Sequence, residues 1–219
     1  MEHARSADDI TMFFGSKRNA KRLVLWIDGV GSRLMCLQDE IVLGREAADG
    51  GADIAFQAEL AKRHARLRRD GEGYLLEAYH PTWVDDRRVE GVAILPTACT
   101  IRLGEFVELR WRRPNALAGT ACLTPSSRHR VRPGGCDGAV LWADTCILGP
   151  KRSAHVLCRI WDRDVMLFRQ DDELFCRTDG KYTVDGRRVA GRAPLRSDSR
   201  VEGEDFAFYF EPVDEPRPR

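Results

Sequence analysis

An arginine and a histidine have the surroundings in this sequence best suited to binding an anion. An apolar run ends in Gly44-Arg45, and His64 follows Arg45 by 19 residues, inside the basic stretch 61–67. An arginine side chain presents a planar fork of N–H donors that matches the oxygens of phosphate or carboxylate. The spacing therefore predicts an anion clamp. A strand end with a solvated arginine is the alternative interpretation.

The elements that would position these side chains are short β-strands. Runs rich in aliphatic and aromatic residues alternate with turn residues, and the first three runs span 23–27, 33–37 and 41–45. The pattern continues as far as 106–111 without a long stretch of helical period. Short strands separated by about eight to twelve residues predict an all-β sandwich or barrel.

Charge and hydropathy narrow the class of partner. The 219 residues carry a formal net charge of +1, although 32% of them are charged. This balance favours neither nucleic acid nor an anionic membrane surface. No apolar run is long enough to span a bilayer, and the first residues do not have the pattern of a secretory signal. We therefore expect a cytoplasmic protein with no nucleic-acid or membrane partner.

The sequence offers little for catalysis or metal binding. Its seven cysteines are an odd number without a Cys-x-x-Cys pair, so buried thiols are expected rather than a disulfide framework or a zinc site. No Gly-x-Ser-x-Gly motif or Ser-His-Asp spacing is present, and the five histidines are scattered. We expect no enzymatic activity, no cofactor, no metal and no small-molecule substrate.

The second half of the sequence echoes the first at offsets of about 100 residues, which predicts two homologous all-β domains. The matched positions are Gly44 and Gly149, His64 and His155, Val84 and Val184, and Gly104 and Gly203. In the first copy His64 follows Gly44 by 20 residues, whereas in the second copy His155 follows Gly149 by only 6. The loop that would frame a ligand is therefore predicted to be largely missing from the second copy.

The repeat divides the chain into five segments. We predict a mobile N-terminal tail (1–22), a first domain (23–113), a connecting segment (114–138), a second domain (139–213) and a C-terminal tail (214–219). Within the connecting segment, 126–132 is basic and has two interpretations, a solvated edge or a nucleic-acid patch.

The chained motifs of the first copy resemble those of the forkhead-associated (FHA) family. That family has Gly-Arg, then Ser-x-x-His, then Ser-x-Asn-Gly-Thr, and this sequence has Gly44-Arg45, then 61–64, then 78–82. The resemblance covers 23–111 and, more weakly, 139–213. It implies two β-sandwich domains of the FHA type, in which loops at one end of the sandwich bind phosphothreonine peptides.

Carried over residue by residue, the resemblance implies a site in the first domain. The phosphopeptide-binding residues would be Arg45, Lys62, Arg63, Tyr79, His80 and Thr82, and the structural brace would be Gly44 and His64. The implied partner is a Ser/Thr-phosphorylated protein, such as a Ser/Thr kinase or its substrate.

Two departures from the family pattern keep a second hypothesis open. The family serine is Ala61 here, and the family asparagine is His80. In the second copy Pro150 replaces the arginine, and Arg152 takes the serine position. The alternative to a phosphopeptide-binding module is a phospho-independent scaffold in which both copies keep the sandwich and have lost the ligand.

Overall fold

The computed structural model describes residues 21–71, 73–115, 118–171 and 173–213. These residues form twenty β-strands joined by turns, with no α-helix among them. The predicted all-β class is therefore confirmed. Both predicted tails lie outside the described residues except for Lys21 and Arg22. No helix in the described part of the chain is long and apolar enough to cross a membrane.

The smaller sheet has five strands and carries the Gly-Arg motif at the end of one of them. In spatial order the strands are β4 (Ile54–Phe56), β3 (Glu40–Arg45), β5 (Ala65–Asp70), β6 (Gly73–Ala78) and β9 (Val92–Ile94). Strands β3 and β4 are parallel and the other neighbours are antiparallel. Because Ala65 pairs with both Leu43 and Ala78, the ends of β3 and β6 lie beside the start of β5.

The larger sheet contains the other fifteen strands. From the N-terminal part come β1 (Arg22–Ile27), β2 (Gly31–Cys36), β7 (Thr82–Val84), β8 (Arg87–Arg88), β10 (Ala98–Leu103), β11 (Val107–Arg112), β12 (Ala121–Pro125) and β13 (Ala139–Leu141). From the C-terminal part come β14 (Thr145–Gly149), β15 (Val156–Leu157), β16 (Val165–Gln170), β17 (Glu173–Val184), β18 (Arg187–Leu195), β19 (Arg200–Glu202) and β20 (Ala207–Pro212). Their order is β15-β14-β16-β17-β19-β20-β1-β2-β13-β12-β11-β10-β7-β8, with β18 beside β17.

Two hydrophobic cores lie against this sheet. The first packs under the five-stranded sheet and contains Trp111 in edge contact with Tyr74, with ring centroids 4.9 Å apart. The second belongs to the C-terminal half and contains Trp142 and Phe208. Burial of one large apolar side chain is worth about 1.5–3 kcal/mol, so the two cores supply most of the stability of the fold.

The strands at the centre of the larger sheet serve both cores. Side chains alternate between the faces of a strand, and in β1 Leu23 and Leu25 belong to the second core while Val24 belongs to the first. Strand β2 alternates in the same way, with Leu34 in the first core and Met35 in the second. A surface strand would carry polar residues on one face, so this two-sided apolar pattern places the β1–β2 hairpin inside the molecule.

Two hairpins are exchanged between the halves of the chain. The hairpin β1–β2 pairs with the C-terminal strands, and the hairpin β12–β13 pairs with the N-terminal strands. Strand β1 pairs with the last strand, β20, whereas β11 pairs with β12. A parallel contact between β2 and β13 joins the two hairpins. Pairing and packing therefore cross the predicted boundaries at residues 113 and 139, and the predicted connecting segment contains strand β12. The division of the chain into domains stays a prediction.

Candidate functional site

Three loops meet at the end of the smaller sheet where β3 finishes. They are 46–53 between β3 and β4, 57–64 between β4 and β5, and 79–81 between β6 and β7. We call this region the loop end. Since β3, β5 and β6 are adjacent strands, the fold brings Gly44-Arg45, the stretch 61–64 and the stretch 79–82 together, as the chained motifs predict.

Arg45 is exposed at the loop end, and its backbone is fixed there. The N–H of Arg45 donates to the carbonyl oxygen of Ala61 at 3.0 Å, which ties the end of β3 to the loop before β5. Arg45 also lines a cleft at the edge of the sheet. The residue that the anion hypothesis requires is therefore accessible, on a backbone position held by the sheet.

Gly44 is required by the close approach of two backbone segments. A Cβ atom built on Gly44 would lie 2.2 Å from the carbonyl oxygen of Lys62, and backbone cannot yield as a flexible side chain can. Any larger residue would push the loop 57–64 away from β3. The role of Gly44 as a structural residue thus has a steric reason.

His64 holds two of the three loops by its ring nitrogens. Its Nδ1 accepts from the N–H of Ala61 at 3.4 Å, and its Nε2 lies 3.0 Å from the carbonyl oxygen of Pro81. This pattern needs a neutral ring that carries its proton on Nε2. Burial lowers the pKa of His64, in agreement with the neutral form. His64 is 4% exposed, so it braces the loops and does not face a ligand.

Lys62 and Arg63, the basic residues before His64, differ in their ion pairing and exposure. The Nζ atom of Lys62 forms an ion pair with Oδ2 of Asp49 at 2.6 Å, and the hydrogen bond from Lys62 lowers the pKa of Asp49. Arg63 is exposed and lines the same cleft as Arg45. The loop end therefore presents Arg45 and Arg63 directly, and Lys62 through a salt bridge.

The predicted binding residues of the stretch 78–82 differ in their exposure to solvent. Tyr79 is 40% exposed and His80 is also exposed, so both can touch a peptide laid across the loops. Thr82 is fully buried, and its hydroxyl donates to the carbonyl oxygen of His80 at 2.9 Å. The predicted contact between Thr82 and a peptide therefore does not fit the structure, because the side chain is used to hold the turn.

A cleft of about 400 Å³ lies beside Arg45, and we call it the arginine cleft. Its lining includes the arginines Arg22, Arg45, Arg63 and Arg132, the carboxylates Glu46 and Asp53, and the glycines Gly50 and Gly51. Arg22 and Arg132 belong to this cleft although they lie outside the predicted motifs. The basic composition of 126–132 was a signal, but nothing in residue order indicates that this stretch packs against β4.

The C-terminal half has an equivalent of the loop end, but its register differs from the prediction. Asp53 donates its N–H to the carbonyl of Val42 at 2.8 Å and accepts the N–H of Val42 on its side chain at 2.8 Å. His155 makes the same two contacts with Ile147, at 2.8 and 2.9 Å. His155 therefore corresponds to Asp53, and the pairing of His155 with His64 is wrong.

The strand registers give the true counterparts. Ala65 pairs with Leu43, and Val165 pairs with Leu148. Counting back from Val165 puts Asp164 in the place of His64 and Trp161 in the place of Ala61. The loops 150–155 and 158–164 correspond to 46–53 and 57–64. The loops of the second half are therefore present, and the prediction that the ligand-framing loop is largely missing is wrong.

The second loop end lacks the groups that would hold an anion. Pro150 replaces Arg45 and has no N–H for the contact that Arg45 makes with Ala61. Trp161 is 2% exposed, and the carboxylate of Asp164 lies 3.9 Å from Nζ of Lys151. Strand β17 runs without a break where β6 and β7 are separated by a loop. These features disfavour a phosphate at this position.

The thiols and acidic groups show no chemistry of their own. All seven cysteines are free, and burial raises the pKa of each thiol, which keeps it protonated and unreactive. Within residues 21–71, 73–115, 118–171 and 173–213, no group of three or more His, Cys, Asp or Glu side chains is placed to hold a metal ion.

The fold is a β-sandwich, and three of its loops meet at one end of the smaller sheet. Residues 41–104 match the family model of the FHA domain, from β3 to the residue after β10. This match confirms, over that segment of the first copy, the predicted resemblance to the FHA domain, a class of phosphoprotein-binding module. The matched segment includes Arg45, Ala61, His64 and His80.

Solved structures of FHA domains match part of the chain. The FHA domain of FhaA, in complex with the intracellular domain of Rv3910, is 25% identical over 37% of this chain and 91% of its own, with a TM-score of 0.28. The FHA structure of Rv0020c is 24% identical over 41% of this chain and 91% of its own, with a TM-score of 0.28. A third, from work on phosphothreonine-dependent FHA domain interactions, is 25% identical over 38% and 88%, with a TM-score of 0.25.

These TM-scores are too low to extend the likeness beyond the matched segment. No curated protein matches the chain significantly.

Proposed function

We propose that the protein is a non-enzymatic binding module that recognises phosphothreonine in a partner protein through the loop end of its FHA domain. One observation carries the proposal: Arg45 is exposed on a fixed backbone and lines a cleft with other arginines. Several guanidinium groups around one cleft provide the donors that a phosphate dianion needs.

Each site residue has a role in this proposal. Arg45 binds the phosphate, with Lys62 and Arg63 as its basic neighbours. Tyr79 and His80 contact the peptide on either side of the phosphothreonine. Gly44, His64 and Thr82 hold the loops in place.

The proposed partner is a Ser/Thr-phosphorylated protein, either a Ser/Thr kinase or one of its substrates. Recognition of a phosphorylated peptide requires no cofactor and no small-molecule substrate. It also requires no nucleic acid and no membrane. A cytoplasmic location suits a partner of this kind and remains a prediction.

A phospho-independent scaffold is the second candidate. The observation that favours it is the loss of polar groups: Ala61 has no hydroxyl for a phosphate, and His80 stands in place of the family asparagine. A hydrogen bond to a charged group is worth about 1.5–3 kcal/mol, so the loss of the hydroxyl at Ala61 weakens a phosphate complex by about tenfold or more.

Binding of degenerate phosphothreonine peptide pools, measured by fluorescence anisotropy, separates the two candidates. We expect the protein to bind the phosphorylated pool, to lose binding by at least about tenfold in Arg45→Ala, and to ignore the same pool after phosphatase treatment. Arg68→Ala is the matched control, because Arg68 is an exposed arginine on strand β5 and pairs with Glu40, at the opposite end of β3 from Arg45. Equal binding to phosphorylated and dephosphorylated pools supports the scaffold instead.

A further inference from the structure

We propose that Arg132, which lies outside the FHA domain, is a phosphate ligand of the FHA site. The anion site would then be built from two parts of the chain, the loop end and the segment between β12 and β13. The inference rests on the proposed function for the identity of its ligand, a phosphothreonine side chain.

The backbone places Arg132 firmly beside β4. Arg132 and Ala55 exchange two backbone hydrogen bonds, of 2.9 and 3.0 Å, so Arg132 extends the edge of the five-stranded sheet. Ala55 in turn pairs with Gly44, next to Arg45. Arg45 and Arg132 therefore both line one cleft, each on an ordered backbone segment.

The charges in the arginine cleft leave an excess of donors. The carboxylate of Asp53 accepts the N–H of Val42, and the guanidinium of Arg22 donates to the carbonyl of Asp53 at 2.9 Å. Those two groups are occupied within the fold. The arginines that remain for a ligand are Arg45, Arg63 and Arg132.

Glu46 is the carboxylate that pairs with Arg132 in the cleft. Its Oε2 lies 3.9 Å from Nε of Arg132, and the two side chains are 41% and 38% exposed. A salt bridge that is long and solvated contributes little to stability, about 0–1 kcal/mol. A phosphate dianion can therefore take the place of Glu46 on Arg132.

In this arrangement arginines replace the phosphate contact that the family serine would make. Ala61 provides no hydroxyl on one side of Arg45, whereas Arg63 and Arg132 supply guanidinium groups in the cleft. The cleft volume of about 400 Å³ accommodates a phosphorylated threonine together with a flanking residue. The phosphate contact has moved from the hydroxyl position to the arginine cleft.

The test compares three alanine variants with the fluorescent phosphothreonine pool. We expect Arg132→Ala to weaken binding about tenfold, approaching the effect of Arg45→Ala, because each removes a charge-assisted contact. Arg128→Ala is the matched control: it removes the same charge from the same segment, at an exposed residue outside the cleft lining. It should change affinity by less than about twofold. Backbone pairing at Arg132 does not need its side chain, and urea denaturation checks that each variant is folded.

Glu46→Gln gives a readout that a structural role for Arg132 would not move. Removal of the competing carboxylate should tighten binding of the phosphorylated pool, and the double variant with Arg132→Ala should lose that gain.

The inference about Arg132 and the proposed function can fail separately, and different results would show each failure. If Arg45→Ala abolishes binding while Arg132→Ala behaves as Arg128→Ala, the inference fails and the proposed function stands. If the pool does not bind the wild-type protein, the proposed function fails. In that case O-phosphothreonine is titrated while the arginine Nε–H signals are followed by NMR. Joint shifts of the Arg45 and Arg132 signals keep the composite anion site, and unmoved signals overturn it.

Discussion

At the residue scale, the ion pair of Lys62 with Asp49 competes with a ligand for the ammonium group of Lys62. Their ion pair of 2.6 Å is exposed, with 39% and 77% of the two side chains accessible. Exposed pairs of this kind are weak and screened by salt. Lys62 can therefore leave Asp49 when a phosphate arrives, at a small cost.

Asp49→Asn should strengthen binding of the phosphothreonine pool by a few fold, because the Lys62 ammonium would no longer be neutralised by a carboxylate. Isothermal titration calorimetry at low and at high salt measures the change, which should shrink as salt rises. Asp70→Asn, on the far end of β5, serves as the control for total charge. An unchanged affinity would remove Lys62 from the list of phosphate contacts.

Titration of His155 makes the stability of the fold depend on pH, and the lowered pKa of this histidine sets the direction of that dependence. Burial, and next the positive charge of Arg112, lowers the pKa of His155 to about 4, against about 6.5 in an unfolded chain. Below pH 6.5 the unfolded state takes up the proton and the folded state does not. Stability from this group is therefore complete above pH 6.5 and is lost as the pH falls towards 4.

The loss over this window should be on the order of 3 kcal/mol, from a difference of about 2.5 pKa units. His155→Asn tests it, since the amide oxygen can accept the N–H of Ile147 and does not titrate. Urea denaturation between pH 7 and pH 4 should show a flatter profile for the variant than for the wild type. Parallel profiles would contradict the assignment of the proton to His155.

How much of the site could be predicted depends on the residue. Gly44, Arg45 and His64 belong to a local motif whose members lie on adjacent strands, so spacing alone locates them. The roles of Arg132 and Thr82 follow from contacts that spacing does not encode: a bridge to Ala55 and complete burial. The error at His155 had a similar cause, because a histidine can accept the same N–H that Asp53 accepts.

At the element scale, strand β11 reaches across to the second loop end. The guanidinium group of Arg112 donates to the carbonyl oxygens of Arg152, Ala154 and His155, at 2.8, 3.0 and 3.1 Å. One side chain therefore satisfies several backbone acceptors of the loop 150–155 and fastens it to the N-terminal half.

Arg112→Met should destabilise the protein by about 2–3 kcal/mol, because it keeps the apolar stem and removes charged donors from partly buried carbonyls. The measurement is urea denaturation, together with hydrogen exchange of the amides in 150–155, which should become faster. Arg110→Met on the exposed face of β11 is the control. Unchanged exchange in this loop would mean that Arg112 does not hold it.

Individual strands were easier to predict than their partners. The runs 33–37, 41–45 and 106–111 located β2, β3 and β11, because the pattern within a strand depends on neighbours in sequence. The pairing of β1 with β20 is set by two-sided burial and by long-range contacts. A run such as 23–27 is apolar enough to be buried in any sheet, so its sequence does not identify the strand with which it pairs.

At the scale of the whole molecule, the exchanged hairpins predict which fragments fold. A fragment of residues 38–141 contains β3 to β13 in one continuous stretch, with β12 paired to β11. A fragment of residues 23–113 has the β1–β2 hairpin, but it lacks both β20 and β12, the partners of β1 and β11. The first fragment therefore keeps every strand of the first core except β1 and β2, whereas the second fragment lacks the partners of β1, β2 and β11.

We expect the 38–141 fragment to be soluble and to unfold cooperatively in urea, monitored by Trp111 fluorescence and circular dichroism. The 23–113 fragment should aggregate or show no cooperative transition. A well-folded 23–113 fragment would restore the domain boundaries that the sequence predicts and would make the exchanged pairing secondary.

The pairing of β1 with β20 also determines how the molecule responds to force. Val213 donates its N–H to the carbonyl of Arg22 at 3.2 Å, so the two ends of the described chain leave the sheet side by side. Tension between these ends loads the hydrogen bonds of the ladder one pair at a time, as in a zipper. Separation of β1 from β20 then removes Leu23, Leu25 and Val24 from their cores. The fold is therefore mechanically soft along the line that joins its own ends.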